Sequence, residues 1–371
     1  MAQSNRVEFA NFLRGFAAFV VMFYHYVDVF FTRREAVVYL TGAPLLPLDS
    51  FAIPLYTKVL KCFPFDLGAF GVAVFFLVSG FVIPFSLKGR SVRGFLLGRL
   101  FRIYPVYIAG FSVSVLFIYI CASYFSLGFP LGIKEIVIHY LVGLRDLLGS
   151  RSIDGVIWTL EIEVKFYLVF ALGFWLFGNI SKILRVAPVL IFFLGVGAIK
   201  FFDVLQGLGA PVATFSSAVI FSGNFIVFMF IGVSFNALYQ GFVDRAEFFF
   251  WFSLCLAMFA FQFLYGPLRA IADVHLPAYG AAVTVFGFSY YLRHLFKDWA
   301  VSGFFADISY PLYVIHGVSG YVMMRILLDL GVKAWVSITV TMSVFILLAW
   351  SIHKFVEVPA QFIGKKISRR A

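Results

Sequence analysis

Residues 67–87 read LGAFGVAVFFLVSGFVIPFSL and contain no charged side chain. A helix of about 20 apolar residues spans the hydrocarbon core of a bilayer, so this stretch predicts a transmembrane helix. A transmembrane β-strand does not fit, because such strands are about 10 residues long and alternate in polarity. The stretch therefore indicates an all-α membrane protein.

The same pattern recurs along the chain of 371 residues, of which 62% are hydrophobic and 13% charged. Soluble domains are about 25% charged, so this composition excludes a soluble enzyme, a coiled coil and a disordered protein. We expect an all-α polytopic membrane protein with about ten transmembrane helices, in a single domain over residues 1–371 with no appended soluble domain. The predicted spans are 8–31, 67–87, 103–125, 156–178, 186–205, 214–238, 247–265, 277–295, 309–328 and 334–354.

The net charge of +11 is explained by membrane topology rather than by a nucleic-acid partner. Lys and Arg are densest in loops on one side of the predicted bundle, as the positive-inside rule requires of cytoplasmic loops. Both termini are therefore predicted to be cytoplasmic. The two densest groups are Lys88, Arg90, Arg93, Arg99 and Arg102, and Lys365, Lys366, Arg369 and Arg370. No metal site is expected, because the three cysteines are scattered and the histidines lack a ligand spacing.

Two connections on the opposite side are long. Residues 32–66 hold four prolines, which predict irregular or broken helix. Residues 133–148 place their apolar side chains on one helical stripe, with Arg145 and Asp146 off it. This pattern predicts a helix that lies on the membrane surface over the whole segment.

The first predicted span carries Arg14 and His25. Ionisable groups at membrane depth are costly, so the first hypothesis for such residues is a functional role. They are 11 residues apart, or roughly 16 Å along a helix, and they share one face. An anion held near Arg14 would therefore extend a tail toward His25. Asp28 lies at i+3 from His25 and is placed to orient its ring. The alternative is a snorkelling arginine and an interfacial histidine that serve packing alone.

The fourth and ninth predicted spans carry further polar groups. Glu161 and Lys165 are i,i+4 neighbours that can pair with each other. Glu163 has no such local partner, so it is the better candidate to bind His25 or a substrate hydroxyl. His316 lies near mid-membrane, where a lone histidine is more often a packing residue than a catalyst.

Small and basic residues suggest a path for a ligand. Ser79 and Gly80 leave room for a slender ligand or, equally, for the close approach of another helix. Arg99 and Arg102 are one turn apart and suit either a phosphate clamp or a topology signal.

Taken in order, these segments resemble the acyltransferase type 3 family of integral membrane acyltransferases. Asn11 and Val164-Lys165 depart from the usual family pattern. The similar motifs are Leu13-Arg14-Gly15 followed by His25, Phe75-Phe76-x-x-Ser79-Gly80, Arg99-x-x-Arg102-Ile103-Tyr104-Pro105, Trp158-Thr159-Leu160-x-x-Glu163-x-x-Phe166-Tyr167, Ser309-Tyr310-x-x-Tyr313-x-x-His316 and Val356-Glu357-x-Pro359.

The resemblance implies transfer of an acyl group, commonly acetyl, from cytoplasmic acetyl-CoA or another acyl-CoA to a glycan hydroxyl. The acceptor would be an extracytoplasmic or lipid-linked glycan, such as a bacterial surface polysaccharide. The protein would lie in the bacterial inner membrane, with membrane lipid among its partners. His25 would act as general base, oriented by Asp28 or Glu163, or would itself carry the acyl group. The donor would contact Arg14, Ser79, Gly80, Arg99 and Arg102, and the acceptor Trp158, Glu161, Tyr167, Tyr313 and His316.

Two other functions fit intramembrane charges. One is a transporter or flippase of a lipid-linked glycan or small anion, although the sequence has no inverted repeat. The other is a structural subunit of a polysaccharide export complex, in which the polar residues serve packing.

Overall fold

The computed structural model describes residues 7–47, 57, 60, 62–297 and 299–368, which form helices and no strand. The described helices are α1 (Glu8–Thr32), α2 (Arg34–Thr41), α3 (Leu67–Leu87), α4 (Val92–Tyr124), α5 (Ile133–His139), α6 (Ile157–Phe177), α7 (Ile180–Lys200), α8 (Phe202–Gly207), α9 (Ala210–Tyr239), α10 (Arg245–Tyr265), α11 (Pro267–Tyr291), α12 (Ala300–Ile315), α13 (Val318–Asp329) and α14 (Ala334–Ser368).

The predicted all-α polytopic membrane fold is confirmed. Within the described residues, eight helices are long and apolar enough to cross a membrane. A ninth crossing arises if α12 and α13, which meet at an angle of 73°, count as one bent span. The fourth predicted span is also helical, as α6, but it carries three charged side chains among its 21 residues.

The helix of the third predicted span begins 11 residues before the predicted span. Helix α4 begins at Val92, and the Ser91 hydroxyl caps it by accepting a hydrogen bond from the Gly94 N–H at 3.0 Å. Hydropathy marks only the part of a helix that lies in lipid. The basic first turns of α4 therefore have the composition of a loop although they are helical.

The two described ends of the chain lie at one end of the bundle, which we call the near end. Phe9 in α1 packs on Phe81 in α3, with ring centroids 5.2 Å apart. Gly94 at the start of α4 meets the backbone of Ser368 at the end of α14. Helix α4 ends at Tyr124, at the opposite end of the bundle, which we call the far end. The positive-inside count predicts that the near end faces the cytoplasm. Arg369 and Arg370, used in that count, lie outside the described residues.

Helix α9 forms the centre of the bundle, with 89% of its most apolar stretch buried. A Cβ added at Gly80 of α3 would overlap the Met229 carbonyl oxygen of α9, and one at Gly232 would overlap the Leu77 carbonyl oxygen. The two backbones thus meet through glycines, as small residues allow in membranes. Gly80 therefore serves the helix contact that was one of its two predicted roles.

The predicted surface helix over 133–148 is wrong in extent. The helix ends at His139, and the chain then runs through turns, with positive φ at Gly143 and Gly149. Arg145 consequently points inward and is 9% exposed. In the other long connection, α2 follows a break at Arg33, in agreement with the predicted broken helix, and residues 48–56, 58–59 and 61 lie outside the described residues.

Candidate active site

Helices α1 and α12 run side by side, and α1 carries Arg14 and His25 of the predicted site. Gly15 of α1 lies against the backbone of Phe305 and Ala306, where a Cβ would not fit. This close approach lets the Arg14 Nη2 donate to the Ala306 carbonyl at 2.8 Å. The histidine farther along α1 is brought to the end of α12 by the same contact.

His25 and His316 form a hydrogen-bonded pair. Their Nδ1 and Nε2 atoms lie 2.9 Å apart, and the rings are nearly parallel with centroids 4.9 Å apart. His316 is buried, with 1% exposure, whereas His25 is partly exposed. The sequence pattern favours a packing role for His316, and the structure makes it the partner of His25.

The backbone around His316 fixes which nitrogen of the pair carries a proton. His316 Nδ1 lies 2.8 Å from the Tyr313 carbonyl and 3.2 Å from the Leu312 carbonyl. A carbonyl only accepts, so Nδ1 must carry the proton, and in a neutral ring Nε2 is then an acceptor. His25 Nδ1 therefore donates, and the lone pair of His25 lies on Nε2. No described residue hydrogen-bonds to His25 Nε2, which leaves it suited to take a proton from a substrate.

Two helix irregularities position the pair. α1 forms one π-helical turn over His25–Val29, and such bulges are common at functional sites. The bend between α12 and α13 falls at His316–Gly317, and the freed His316 carbonyl accepts a hydrogen bond from the Tyr26 hydroxyl at 2.7 Å. A Cβ at Gly320 would overlap the Tyr26 ring, so this contact also requires glycine.

A cavity of about 70 Å³ lies between α1, α3, α4, α6 and α12. Arg14 and Arg102 supply cationic side chains to its wall, and Val72, Phe75 and Phe76 supply an apolar face. The remaining wall residues that bear hydroxyl or carboxyl groups are Ser79, Thr159, Glu163, Tyr167, Ser309, Tyr310 and Tyr313. We call this the first cavity.

The first cavity connects to the histidine pair through Tyr313. Thr159 Oγ1 lies 2.9 Å from the Tyr313 hydroxyl, and the Tyr313 ring lies 5.6 Å from the His316 ring. On the same wall, Glu163 Oε1 accepts hydrogen bonds from the Ser79 hydroxyl at 3.1 Å and the Tyr167 hydroxyl at 2.5 Å. A single cavity thus brings together five motifs that are far apart in the sequence.

A family model described as an acyltransferase domain matches residues 7–354 of the chain. The chain belongs to the acyltransferase type 3 family. Its described helices are those of a multi-pass membrane protein.

The chain is also similar to a curated protein. Nodulation protein 10 of Rhizobium leguminosarum bv. viciae is 29% identical over 121 residues, which cover 28% of this chain and 33% of the relative. The chain thus matches about a third of the length of that relative. No solved structure matches the chain of this protein.

Some predicted site residues of the type 3 acyltransferase lie away from His25. The Asp28 carboxylate accepts from the Thr32 hydroxyl at 3.2 Å rather than from the His25 ring. Glu163 is held by Ser79 and Tyr167, so the expected contact with His25 is replaced by the one with His316. The π-helical turn explains the first difference, because it changes the register between His25 and Asp28.

The two arginines of the predicted phosphate clamp, Arg99 and Arg102, do not face the same site. Arg102 lines the first cavity, whereas the Arg99 guanidinium stacks over the rings of Phe95 and Tyr167 at 5.7 and 5.5 Å. Arg99 therefore supports a wall residue of the cavity rather than lining it.

The carboxylates of α6 also divide between two faces. Glu161 does not pair with Lys165. It accepts two hydrogen bonds from Arg145, at 2.9 and 2.5 Å, while Lys165 binds Asp146. Trp158 packs between Phe76 and Phe221.

Sequence reasoning missed Asp154, which positions α6. Its Oδ1 accepts from the backbone N–H of Val156 at 3.0 Å and Ile157 at 2.9 Å, and its Oδ2 accepts from the Tyr107 hydroxyl at 2.9 Å. Burial by itself would raise the pKa of Asp154, but the His139 ring at 3.5 Å and the two N–H groups lower it below its usual value. An aspartate just before an apolar run is an N-cap signal that could have revealed this residue.

Proposed function

We propose that this acyltransferase moves an acetyl group from cytoplasmic acetyl-CoA, or the acyl group of a related acyl-CoA, to a hydroxyl of an extracytoplasmic or lipid-linked glycan. The proposal places the protein in a bacterial inner membrane. The observation that carries it is the hydrogen bonding of His25 through His316, which leaves the His25 Nε2 lone pair available as a base.

The first cavity supports acyl-CoA as the donor. Its two arginines suit a polyanion, because guanidinium groups bind phosphate through paired hydrogen bonds. Its apolar wall suits the thin pantetheine arm and a small acyl group. Arg14 precedes His25 by 11 residues on α1, so the predicted path for the donor runs from the near end toward the histidine pair.

In the proposed reaction, His25 is the only residue that takes up and releases a proton. His25 Nε2 takes the proton of the acceptor hydroxyl while that oxygen attacks the thioester carbonyl carbon. The carbon–sulfur bond then breaks, and the coenzyme A thiolate leaves with the electron pair. The proton on Nε2 passes to that thiolate, which regenerates neutral His25. Throughout, His316 keeps its Nδ1 proton on the Tyr313 carbonyl and holds the His25 ring in one tautomer.

Radiolabelled acetyl-CoA with the purified protein and lipid-linked or free surface glycans tests the proposal. We expect transfer by the wild type and by His294→Ala, which alters an exposed histidine outside the site. His25→Ala should lose about 10²- to 10⁴-fold in kcat, the usual contribution of general acid–base catalysis. Wild-type transfer by folded His25→Ala would falsify the catalytic assignment. Mass spectrometry of surface glycans from cells with and without the protein then identifies the acceptor.

A further inference from the structure

A second cavity, with a volume of about 570 Å³, lies at the far end. This volume lies within the roughly 300–1,000 Å³ of common small-molecule sites. Its apolar wall includes Phe202, Phe221 and Leu268, and its polar wall includes Asn224 and Gln262. Nothing in the acyl-transfer scheme above uses this cavity.

Two buried amides on its wall carry atoms with no hydrogen-bond partner among the described residues. Asn224 is 3% exposed, and neither its Oδ1 nor its Nδ2 hydrogen-bonds to any described residue. Gln262 is 3% exposed, and its Oε1 is likewise without a partner in the described part of the chain. Buried polar groups are nearly always hydrogen-bonded, so these atoms are suited to bind a polar ligand in the cavity.

The orientation of Gln262 is fixed by its surroundings. Its Nε2 donates to the Phe192 carbonyl at 3.3 Å, and a Cβ at Gly195 would overlap this nitrogen. Helix α7 therefore provides a glycine where the amide nitrogen docks. The amide oxygen is left as an acceptor on the cavity wall.

The charges around the second cavity neutralise one another. Arg145 is held by Glu161 and by the Ser150 carbonyl at 2.6 Å. Asp146 is held by Lys165, which also donates to the Ser222 hydroxyl at 3.1 Å. An anionic headgroup would find no unpaired cation among these side chains. The cavity therefore suits a neutral ligand with both donors and acceptors.

We propose that the second cavity binds a neutral, hydroxyl-rich saccharide. The amides of Asn224 and Gln262 match adjacent sugar hydroxyls, and the aromatic and aliphatic wall matches the apolar face of a sugar ring. Under the proposed function, the saccharide is a part of the acceptor glycan remote from the acylated hydroxyl.

Helix α6 separates this site from the first cavity. Glu163 and Tyr167 face the first cavity, whereas Glu161 and Lys165 face the Arg145–Asp146 turn beside the second. The Trp158 ring bridges them, because it packs on wall residues of both cavities at 6.2 and 5.8 Å. The second cavity thus holds glycan units beyond the reacting one, at the end predicted to face outward.

The test measures binding of labelled, neutral oligosaccharides of hexose and N-acetylhexosamine to the full-length protein in nanodiscs, without acyl-CoA. Asn224→Leu should bind the best oligosaccharide roughly tenfold more weakly, as expected for one or two lost hydrogen bonds. Without saccharide, its Tm should equal or exceed that of the wild type, because the variant removes an unpartnered amide. The matched control is Asn236→Leu on the same helix. Asn236 donates to the Phe81 carbonyl at 2.7 Å, so this variant should lower Tm and leave saccharide affinity unchanged.

Equal affinity of wild type and Asn224→Leu, or no binding by any oligosaccharide, overturns the proposal. Loss of a co-purified phospholipid from Asn224→Leu in native mass spectrometry also overturns it, in favour of a lipid site. The assay needs no turnover, so it is independent of the acetyl-transfer assay. Saccharide binding together with full activity of His25→Ala would refute the catalytic proposal alone.

Discussion

His25 Nδ1 lies 2.9 Å from His316 Nε2, so two residues 291 positions apart in the chain share one hydrogen bond. The Nδ1 atom of His316 donates to the backbone carbonyls of Tyr313 and Leu312, and this contact fixes the tautomer of both rings. The arrangement parallels a catalytic triad, in which a third group orients the base without itself taking the proton. We therefore propose His316 as a positioning residue for His25.

Replacement of His316 should lower kcat without weakening donor binding. In His316→Ala the His25 ring loses its acceptor, so we expect a fall of about 10²- to 10⁴-fold in kcat with the KM for acyl-CoA unchanged. His316→Gln, whose side-chain oxygen can accept from His25, should recover part of the rate. Steady-state kinetics measures the split. A kcat of wild-type size in a folded His316→Ala would remove His316 from catalysis.

Arg102 should act on the donor. Removing a charge-assisted contact costs about 1.5–3 kcal/mol, so Arg102→Ala should raise the KM for acyl-CoA by roughly 10- to 100-fold and leave the KM for the acceptor unchanged. Arg93→Ala provides the control, since Arg93 is an exposed residue of the same helix that does not line the first cavity. An unchanged KM for acyl-CoA in Arg102→Ala would show that the donor binds elsewhere.

Two glycine substitutions should have opposite effects on stability. Gly80→Ala inserts a methyl group against the Met229 carbonyl of α9 and should cost about 1–3 kcal/mol, as overpacking does. Gly280→Ala lies in α11 with open space around its Cβ, so it should gain about 0.5–1 kcal/mol from helix propensity. Thermal unfolding in detergent measures both. Equal Tm values for the two variants would contradict the close contact of α3 and α9.

The Asp154 carboxylate should make the stability of the folded protein depend on pH. Its pKa is lower in the folded protein than in the unfolded chain, where it is about 3.9. The ionised carboxylate thus stabilises the fold above about pH 4, and this contribution is lost as the pH falls through the folded value. We expect the Tm difference between wild type and Asp154→Asn to shrink from pH 7 toward pH 3. A difference that is constant with pH would exclude this role.

Local sequence patterns are enough to single out several residues of the site. Arg14 and His25 share a helix, so their spacing alone places them on one face. Local patterns do not determine the partner of His25, because the choice among Asp28, Glu163 and His316 depends on the π-helical turn and on the bend after α12. Neither irregularity leaves a hydropathy signal. Arg145 is predicted to lie on a surface helix for the same reason, since its contact with Glu161 follows from turns that the apolar stripe does not encode.

The amino-acid sequence by itself determined an all-α bundle of membrane-spanning helices and the family to which it belongs. Apolar length decides whether a segment crosses lipid, and length is a local property. Only the tertiary structure decided which polar groups meet: His25 with His316, Glu163 with Ser79, and Glu161 with Arg145. In a chain whose lipid-facing and buried surfaces are both apolar, periodicity does not distinguish inward from outward faces. Helix packing and backbone irregularities therefore choose the partners, and with them the chemistry of the site.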